Sequence, residues 1–455
     1  MNGAVRLSLD LPELDVPASG GTRVRRTVLP SGVRILSETV PGAQSATAGF
    51  WVAVGSRDEQ PVTYGSTHFL EHLLFKGTPA RSALDIAVAF DAVGGEHNAV
   101  TAKEHTCYYA KVRDVDLPMA VEVLADMLTS SLLDPGEFEA ERGVILEELA
   151  MADDDPADVV GERLFEGVFG DHPLGRPIGG YPSSIAAVDR DAVWGHYREN
   201  YGPRDLVVTV AGAVDHDALV GWVVAALGRA GWELSAPALP VARRSEAGQL
   251  GGAQLVPGEA LRIVHRPTEQ ANLMLGVPGL TAVDPRRPAL ALLNSALGGG
   301  MSSRLFQEVR ERRGLAYSVY SFASGYSDAG LVGLYAGCSP SRAADVAELM
   351  LGEFRRIADA GLDEAELSRA RGQLGGASAL ALEDTDTRMS RLGRSEITLG
   401  EFADLDETLR RLDTVGLSDV KELARELVAG ELSVAAVGPV DVEAFRGLDG
   451  ESAAA

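Results

Sequence analysis

Gly65-Ser66-Thr67-His68-Phe69-Leu70-Glu71-His72-Leu73-Leu74-Phe75-Lys76-Gly77 is the stretch from which the rest of the chain is read. Apolar residues at 69, 70, 73 and 74 have helical spacing, and on a helix His68 and His72 leave the same face one turn apart. Glu71 projects beside them. Two neutral imidazoles and a carboxylate on one face suit zinc, which takes nitrogen and oxygen ligands at about 2.0–2.2 Å. The alternative is an amphipathic helix with its polar residues turned to water. The apolar residues crowding these three, in a chain with only eight histidines, favour the metal.

A catalytic zinc takes three protein ligands and keeps one position open, so a third ligand is needed from another element. The segment Pro135–Met151 has helical spacing and carries Glu137, Glu139, Glu141, Glu147 and Glu148. Glu141 and Glu148 are seven residues apart and share a face, whereas Glu147 is rotated away. Spacing does not choose between Glu141 and Glu148.

Composition sets the class. At 455 residues, 45% hydrophobic and 24% charged, the chain is long enough for two or three globular domains. No run of about 18 apolar residues predicts a membrane span. Met1 to Thr22 contain Asp10, Glu13 and Asp15 and fit neither a secretory signal nor a transit peptide. Two cysteines, Cys107 and Cys338, are too few for a disulfide framework, so a cytoplasmic location is expected. The net charge of −25 argues against nucleic acid. It suits either a basic peptide drawn in by steering or simply a solvated acidic surface.

The chain reads as two copies of one α+β unit. Residues 1–22 read as a loose leader. Val24–Leu29 and Val33–Ser37 flank a Pro30-Ser31-Gly32 turn, and Ala46–Val54 is a buried strand. A helix over Ser82–Val93, strands at Asn98–Thr101 and Thr106–Val112, and helices at Leu117–Ser130 and Pro135–Met151 follow. Val207–Ala211 closes the half. Residues 231–258, rich in Pro, Ala, Gly and Ser, read as a linker. Thr39-Val-Pro41-Gly-Ala-Gln44 is then echoed by His265-Arg-Pro267-Thr-Glu-Gln270, and Leu206–Gly212 by Leu432–Gly438, both 226 residues on. Asp134-Pro-Gly-Glu137-Phe-Glu-Ala-Glu141-Arg142 is echoed by Asp363-Glu-Ala-Glu366-Leu-Ser-Arg-Ala370-Arg371. Domains at 23–230 and 259–455 are therefore expected. No histidine follows His265, so the second copy cannot rebuild a two-histidine site.

His68-Phe-Leu-Glu71-His72, with Glu148 in Val144-Ile-Leu-Glu-Glu148, resembles the pitrilysin/insulysin family of inverzincin peptidases. The closest likeness is to its mitochondrial-processing-peptidase-like branch. It covers nearly the whole chain, from Thr27-Val-Leu-Pro-Ser-Gly32 to the strand near Val440. The resemblance implies tandem α/β-sandwich domains of the processing-peptidase/LuxS-like metallohydrolase fold. It implies one Zn²⁺ per chain on His68, His72 and Glu148, with Glu71 as general base and Glu141 supporting the site. Leu297-Gly-Gly-Gly300-Met-Ser-Ser-Arg304 through Arg310 to Tyr317 also matches, and implies that Arg310 and Tyr317 reach the scissile peptide. There a cation and a phenol can donate to an oxyanion. Asn98, Ala99, Val100 and Thr101 match the family's edge strand, to which substrate adds as a further strand.

The function so implied is a zinc metalloendopeptidase acting on unfolded or short peptides inside a dimeric chamber. Two domains make half of the four-domain chamber of single-chain members. A homodimer is expected because this chain carries both the metal motif and the Arg/Tyr pair; the other arrangement is a heterodimer with a metal-free paralogue. The alternative function is a non-catalytic structural or partner subunit. That role would not require His68, Glu71, His72 and Glu148 together.

Overall fold

The computed structural model describes residues 3–448. They form two compact units. The first comprises the chain up to Leu149, Pro177–Arg244 and Ala379–Glu407; the second comprises Ala150–Arg176, Ser245–Ser378 and the chain from Thr408.

The first unit is built on a seven-stranded sheet. Its order is Glu13–Pro17, Arg23–Val28, Arg34–Thr39, Leu206–Gly212, Ser45–Val52, Thr106–Arg113, Glu96–Thr101. Neighbours are antiparallel except Arg34–Thr39 with Leu206–Gly212. The second unit has five strands in the order Ala316–Gly325, Gly330–Cys338, Ala271–Pro278, Ser433–Gly438, Leu261–His265, again with one parallel pair, the last. In each sheet the closing strand lies between two strands that follow one another in the chain, parallel to the earlier and antiparallel to the later. This is the repeat expected from the echoed sequences. It extends to side chains. Arg142 donates to the carbonyls of Ile185 and Val188, and Arg371 to those of Asp413 and Val415. The two guanidinium groups thus hold the same bend in each copy.

Strands buried on both faces carry continuous apolar runs, because successive side chains alternate between two cores. In the first unit Ile35, Phe50, Tyr108 and Val208 enter the core under helices Leu117–Ser130 and His216–Arg229. Leu36, Trp51, Cys107 and Val207 face the other way, toward Met389, Leu392, Ile397 and Phe402. Those last four come from the segment 379–407, in the second half of the sequence. Burial of each such side chain contributes about 1.5–3 kcal/mol. Charge fixes the segment as well: Glu396 is fully buried against Arg26 at 3.2 Å, Arg34 at 3.6 Å and Arg243 at 3.0 Å. Buried Glu38 accepts from Arg388 and Arg391. The second unit mirrors the device, with Val160, Leu164 and Phe169 of helix Pro156–Phe169 packing against Met274, Ala435 and Val437.

Two expectations are corrected. Among the described residues, 3–22 are not a loose leader, since Glu13–Pro17 alternates exposed residues with half-buried Leu14 and Val16 and pairs with Arg23–Val28. The domains are not contiguous at 23–230 and 259–455, because each half contributes a segment to the other unit. Residues 231–258 carry no helix or strand, and the division between the units falls within them, after Arg244.

Candidate metal centre

The motif lies on helix Ser66–Leu73, which buries Phe69, Leu70 and Leu73 and leaves the two histidines half-buried. The helix begins at Gly65, with φ of 91°, where a Cβ would stand 2.4 Å from Ile185 Cδ1 and 2.8 Å from the Gly179 carbonyl oxygen. Only glycine fits. Two free N–H groups at the start of the helix are satisfied by buried Glu59, whose carboxylate accepts from Gly65 N and Thr67 N at 2.7 Å each. A residue six positions before the helix gives no pattern signal, and Glu59 was not anticipated. On the helix's inner side Thr67 Oγ1 lies 3.1 Å from His196 Nε2, which makes His196 a structural residue.

His68, His72 and Glu148 form a metal-ligand cluster among the described residues, with one ligand atom from each lying within 4.8 Å of the others. Glu148 Oε2 stands 3.3 Å from His72 Nε2 and 3.8 Å from His68 Nε2. Ligands on a tetrahedral zinc at about 2.0–2.2 Å are about 3.3–3.6 Å from one another; the His72–Glu148 separation falls in this range and the His68–Glu148 separation is slightly wider. The proton inventory also fits. Glu141 Oε2 accepts from His72 Nδ1 at 2.9 Å, and a carboxylate has no proton to give. His72 therefore carries its proton on Nδ1 and presents the Nε2 lone pair to the cluster, the arrangement by which metal-binding histidines are oriented. Burial, helped by the neighbouring His72 and opposed by Glu71 and Glu148, lowers the His68 pKa and so favours its neutral form.

Glu141 is 5% exposed and Glu148 is exposed, both on helix Pro135–Asp154. Burial would raise the pKa of Glu141, but hydrogen bonds from Lys76 and His72 hold it below the ordinary carboxylate value. Lys76 Nζ sits 2.5 Å from Glu141 Oε1. Lys76 was not anticipated, although it follows His72 by four residues, a spacing that could have marked it. Glu147 is exposed and outside the cluster.

Glu71 receives a hydrogen bond from Thr101 Oγ1 at 2.5 Å. Thr101 ends strand Glu96–Thr101, which occupies an edge of the seven-stranded sheet, the position expected for Asn98–Thr101. Asn98 and Val100 are exposed, Ala99 and Thr101 buried. Arg310 and Tyr317 belong to the second unit. There the Arg310 guanidinium lies 4.3 Å from the centre of the Tyr317 ring, and Tyr317 is 77% exposed. In the glycine-rich stretch, Gly298 is a packing requirement, because a Cβ there would meet Ser321 N at 2.3 Å. Three further histidines have contacts outside the cluster. His97 stacks on Phe90 at 4.4 Å, His105 lies against Trp51 at 5.3 Å, and His172 Nδ1 accepts from Leu174 N at 3.3 Å. Cys107 and Cys338 are buried free thiols.

Comparison with known proteins supplies the context of this site. Residues 34–181 match the insulinase (peptidase family M16) model and residues 187–374 the peptidase M16 inactive domain. The chain is 50% identical over 424 residues to an uncharacterized zinc protease of Streptomyces coelicolor, covering 93% of this chain and 91% of that one. It is 46% identical over 415 residues to one of Mycobacterium tuberculosis (91% and 93%). A third, from Bacillus subtilis, is 38% identical over 416 residues (91% and 98%). The fold is shared with a peptidase M16 inactive domain from Pseudomonas fluorescens at TM-score 0.80, 19% identity and coverage of 94% and 98%. It is shared also with a protease from Helicobacter pylori at TM-score 0.82, 22% identity and coverage of 91% and 99%.

Proposed function

Since this chain belongs to the insulinase family, peptidase family M16, we propose that it is a zinc-dependent endopeptidase that cuts short or unfolded peptides. The observation that carries the reading is the convergence of His68 Nε2, His72 Nε2 and Glu148 Oε2 with Glu71 on the same helix. His68, His72 and Glu148 would hold one Zn²⁺ per chain. When bound, the ion supplies a Lewis acid and lowers the pKa of water toward neutrality. Glu71 takes a proton from the attacking water and delivers it to the leaving amine. Glu141 holds His72 in the required tautomer. Asn98 to Thr101 offer an edge to which a peptide backbone adds as a strand, which gives affinity with little sequence preference. Arg310 and Tyr317 are assigned as donors to the oxyanion.

Substrates are peptides, basic ones being favoured by the charge of −25. The working assembly is a homodimer in the cytoplasm, with a heterodimer as the alternative. No helix among the described residues is long and apolar enough to cross a membrane. The test is mass-spectrometric digestion of a mixed peptide library, some members rich in Arg and Lys, by the wild type and by Glu71→Gln. Zinc-dependent cleavage by the wild type alone is expected. Equal cleavage by both would remove Glu71 as the base. No cleavage by either, with zinc bound and the fold intact, would favour a non-catalytic partner subunit.

A further inference from the structure

One contact at the site lies outside the cluster of candidate metal ligands. The Thr101 hydroxyl donates to Glu71 Oε2 at 2.5 Å, while Glu71 Oε1 accepts no hydrogen bond from the protein among the described residues. A glutamate has three rotatable side-chain bonds and does not hold one orientation unless something fixes it. Here the fixing group lies on a rigid element. Thr101 is 7% exposed and stands opposite Thr106 in the ladder. The residues just after it are tied down, because Ser56 N donates to the Ala102 carbonyl at 3.1 Å and Arg57 N to the Lys103 carbonyl at 3.0 Å. Arg57 also pairs with Glu104 at 2.6 Å. Gly55 admits this crossing, since a Cβ there would stand 2.4 Å from the Ala102 carbonyl oxygen. Upstream, Val100 is 47% exposed on the edge strand. The strand thus has no further strand on its outer side among the described residues and is anchored at the end that touches Glu71.

We propose, resting on the peptidase reading, that Thr101 is a positioning residue, whose hydroxyl locks the Glu71 carboxylate through Oε2 and leaves Oε1 as the proton acceptor. The strand that pairs with substrate then also sets the base, so a peptide seated on the edge meets a carboxylate already aimed. Thr101 acts through Glu71 and touches no reacting atom.

The experiment compares Thr101→Val and Thr101→Ser in the full chain. Valine keeps the branched shape and strand preference but loses the hydroxyl. The expected result is a fall in kcat of about tenfold or more for Thr101→Val with KM within about twofold, and kcat for Thr101→Ser within about threefold of wild type. Zinc content should be unchanged in both. A rise in KM at unchanged kcat would make Thr101 a substrate contact and overturn the proposal. A second readout needs neither metal nor activity. In a crystal structure of metal-free Thr101→Val, Glu71 should occupy more than one rotamer, and a single rotamer matching the wild type would overturn the proposal. Full activity in Glu71→Gln would instead refute the base assignment, and the rotamer measurement would still judge Thr101.

Discussion

Replacing Glu141 by glutamine and by alanine tests how the centre is held. Glu141 makes two contacts, accepting from His72 Nδ1 at 2.9 Å and pairing with Lys76 at 2.5 Å. A hydrogen bond to a charged group contributes about 1.5–3 kcal/mol and a neutral one about 0.5–1.5 kcal/mol. The amide oxygen introduced by Glu141→Gln would still accept from Nδ1, so this change should lose about 1–1.5 kcal/mol, or about fivefold to tenfold in zinc affinity. Glu141→Ala removes the acceptor and frees the tautomer, and loss of such an outer partner costs about 10–100-fold. Competition against a chromophoric chelator at fixed pH measures all three proteins. The expected order of affinity is wild type, then the glutamine variant, then the alanine variant. The Lys76→Met/Glu141→Gln double variant separates the hydrogen bond from the ammonium left unpaired. Affinities of Glu141→Gln and Glu141→Ala both within about twofold of wild type would refute the argument that Glu141 orients His72.

Three further outcomes follow from the first unit. Glu396→Ala leaves Arg26, Arg34 and Arg243 without their shared buried carboxylate and should cost about 3–5 kcal/mol in denaturant unfolding, against less than about 1 kcal/mol if the cluster is idle. Gly393→Ala, a change that ordinarily gains about 1 kcal/mol in a helix, should instead destabilise by about 1–3 kcal/mol, because its Cβ would sit 2.3 Å from the Trp51 ring; a rise in Tm would contradict this. His105 is held at about 4 by burial, with Arg394 adding to the effect, below the ordinary histidine value. Its folded form resists protonation, so its share of stability is intact above about pH 6.5 and is lost as the pH falls toward 4. In His105→Phe the loss of stability between pH 7.5 and pH 5 should shrink by about 2 kcal/mol, and an unchanged loss would remove His105 from the account.

Much of this molecule was legible locally. Leu117–Ser130 and Leu206–Gly212 form over the residues that their apolar periodicity marked, and the repeat showed itself in echoed turns. The motif helix followed from spacing alone. The choice of Glu148 over Glu141 did not, because two residues seven apart share a face, and what separates them is depth: Glu141 lies buried behind His72, whereas Glu148 is exposed. Depth is set by packing with other elements and leaves no mark in spacing. The same holds for Glu59, which caps the helix from a preceding loop. Glu13–Pro17 was missed because its outward residues are acidic, so a strand resembled a solvated tail. The exchanged segments were missed for a more general reason. Thr385–Arg394 reads as an ordinary amphipathic helix wherever it docks, and periodicity names a face without naming the sheet that covers it.

The exchange of segments also bears on synthesis. A ribosome that has delivered residues 1 to 258 has released His68, His72 and Glu148, yet Trp51, Cys107 and Val207 still lack the Met389 and Leu392 that cover them. Arg26 and Arg34, on the same sheet, still wait for Glu396. The unit that contains His68, His72 and Glu148 is complete only after residue 407 has emerged. A nascent or prematurely ended chain therefore carries His68, His72 and Glu148 on an unfinished scaffold, and the order of translation delays completion of the first unit until nearly the whole chain exists.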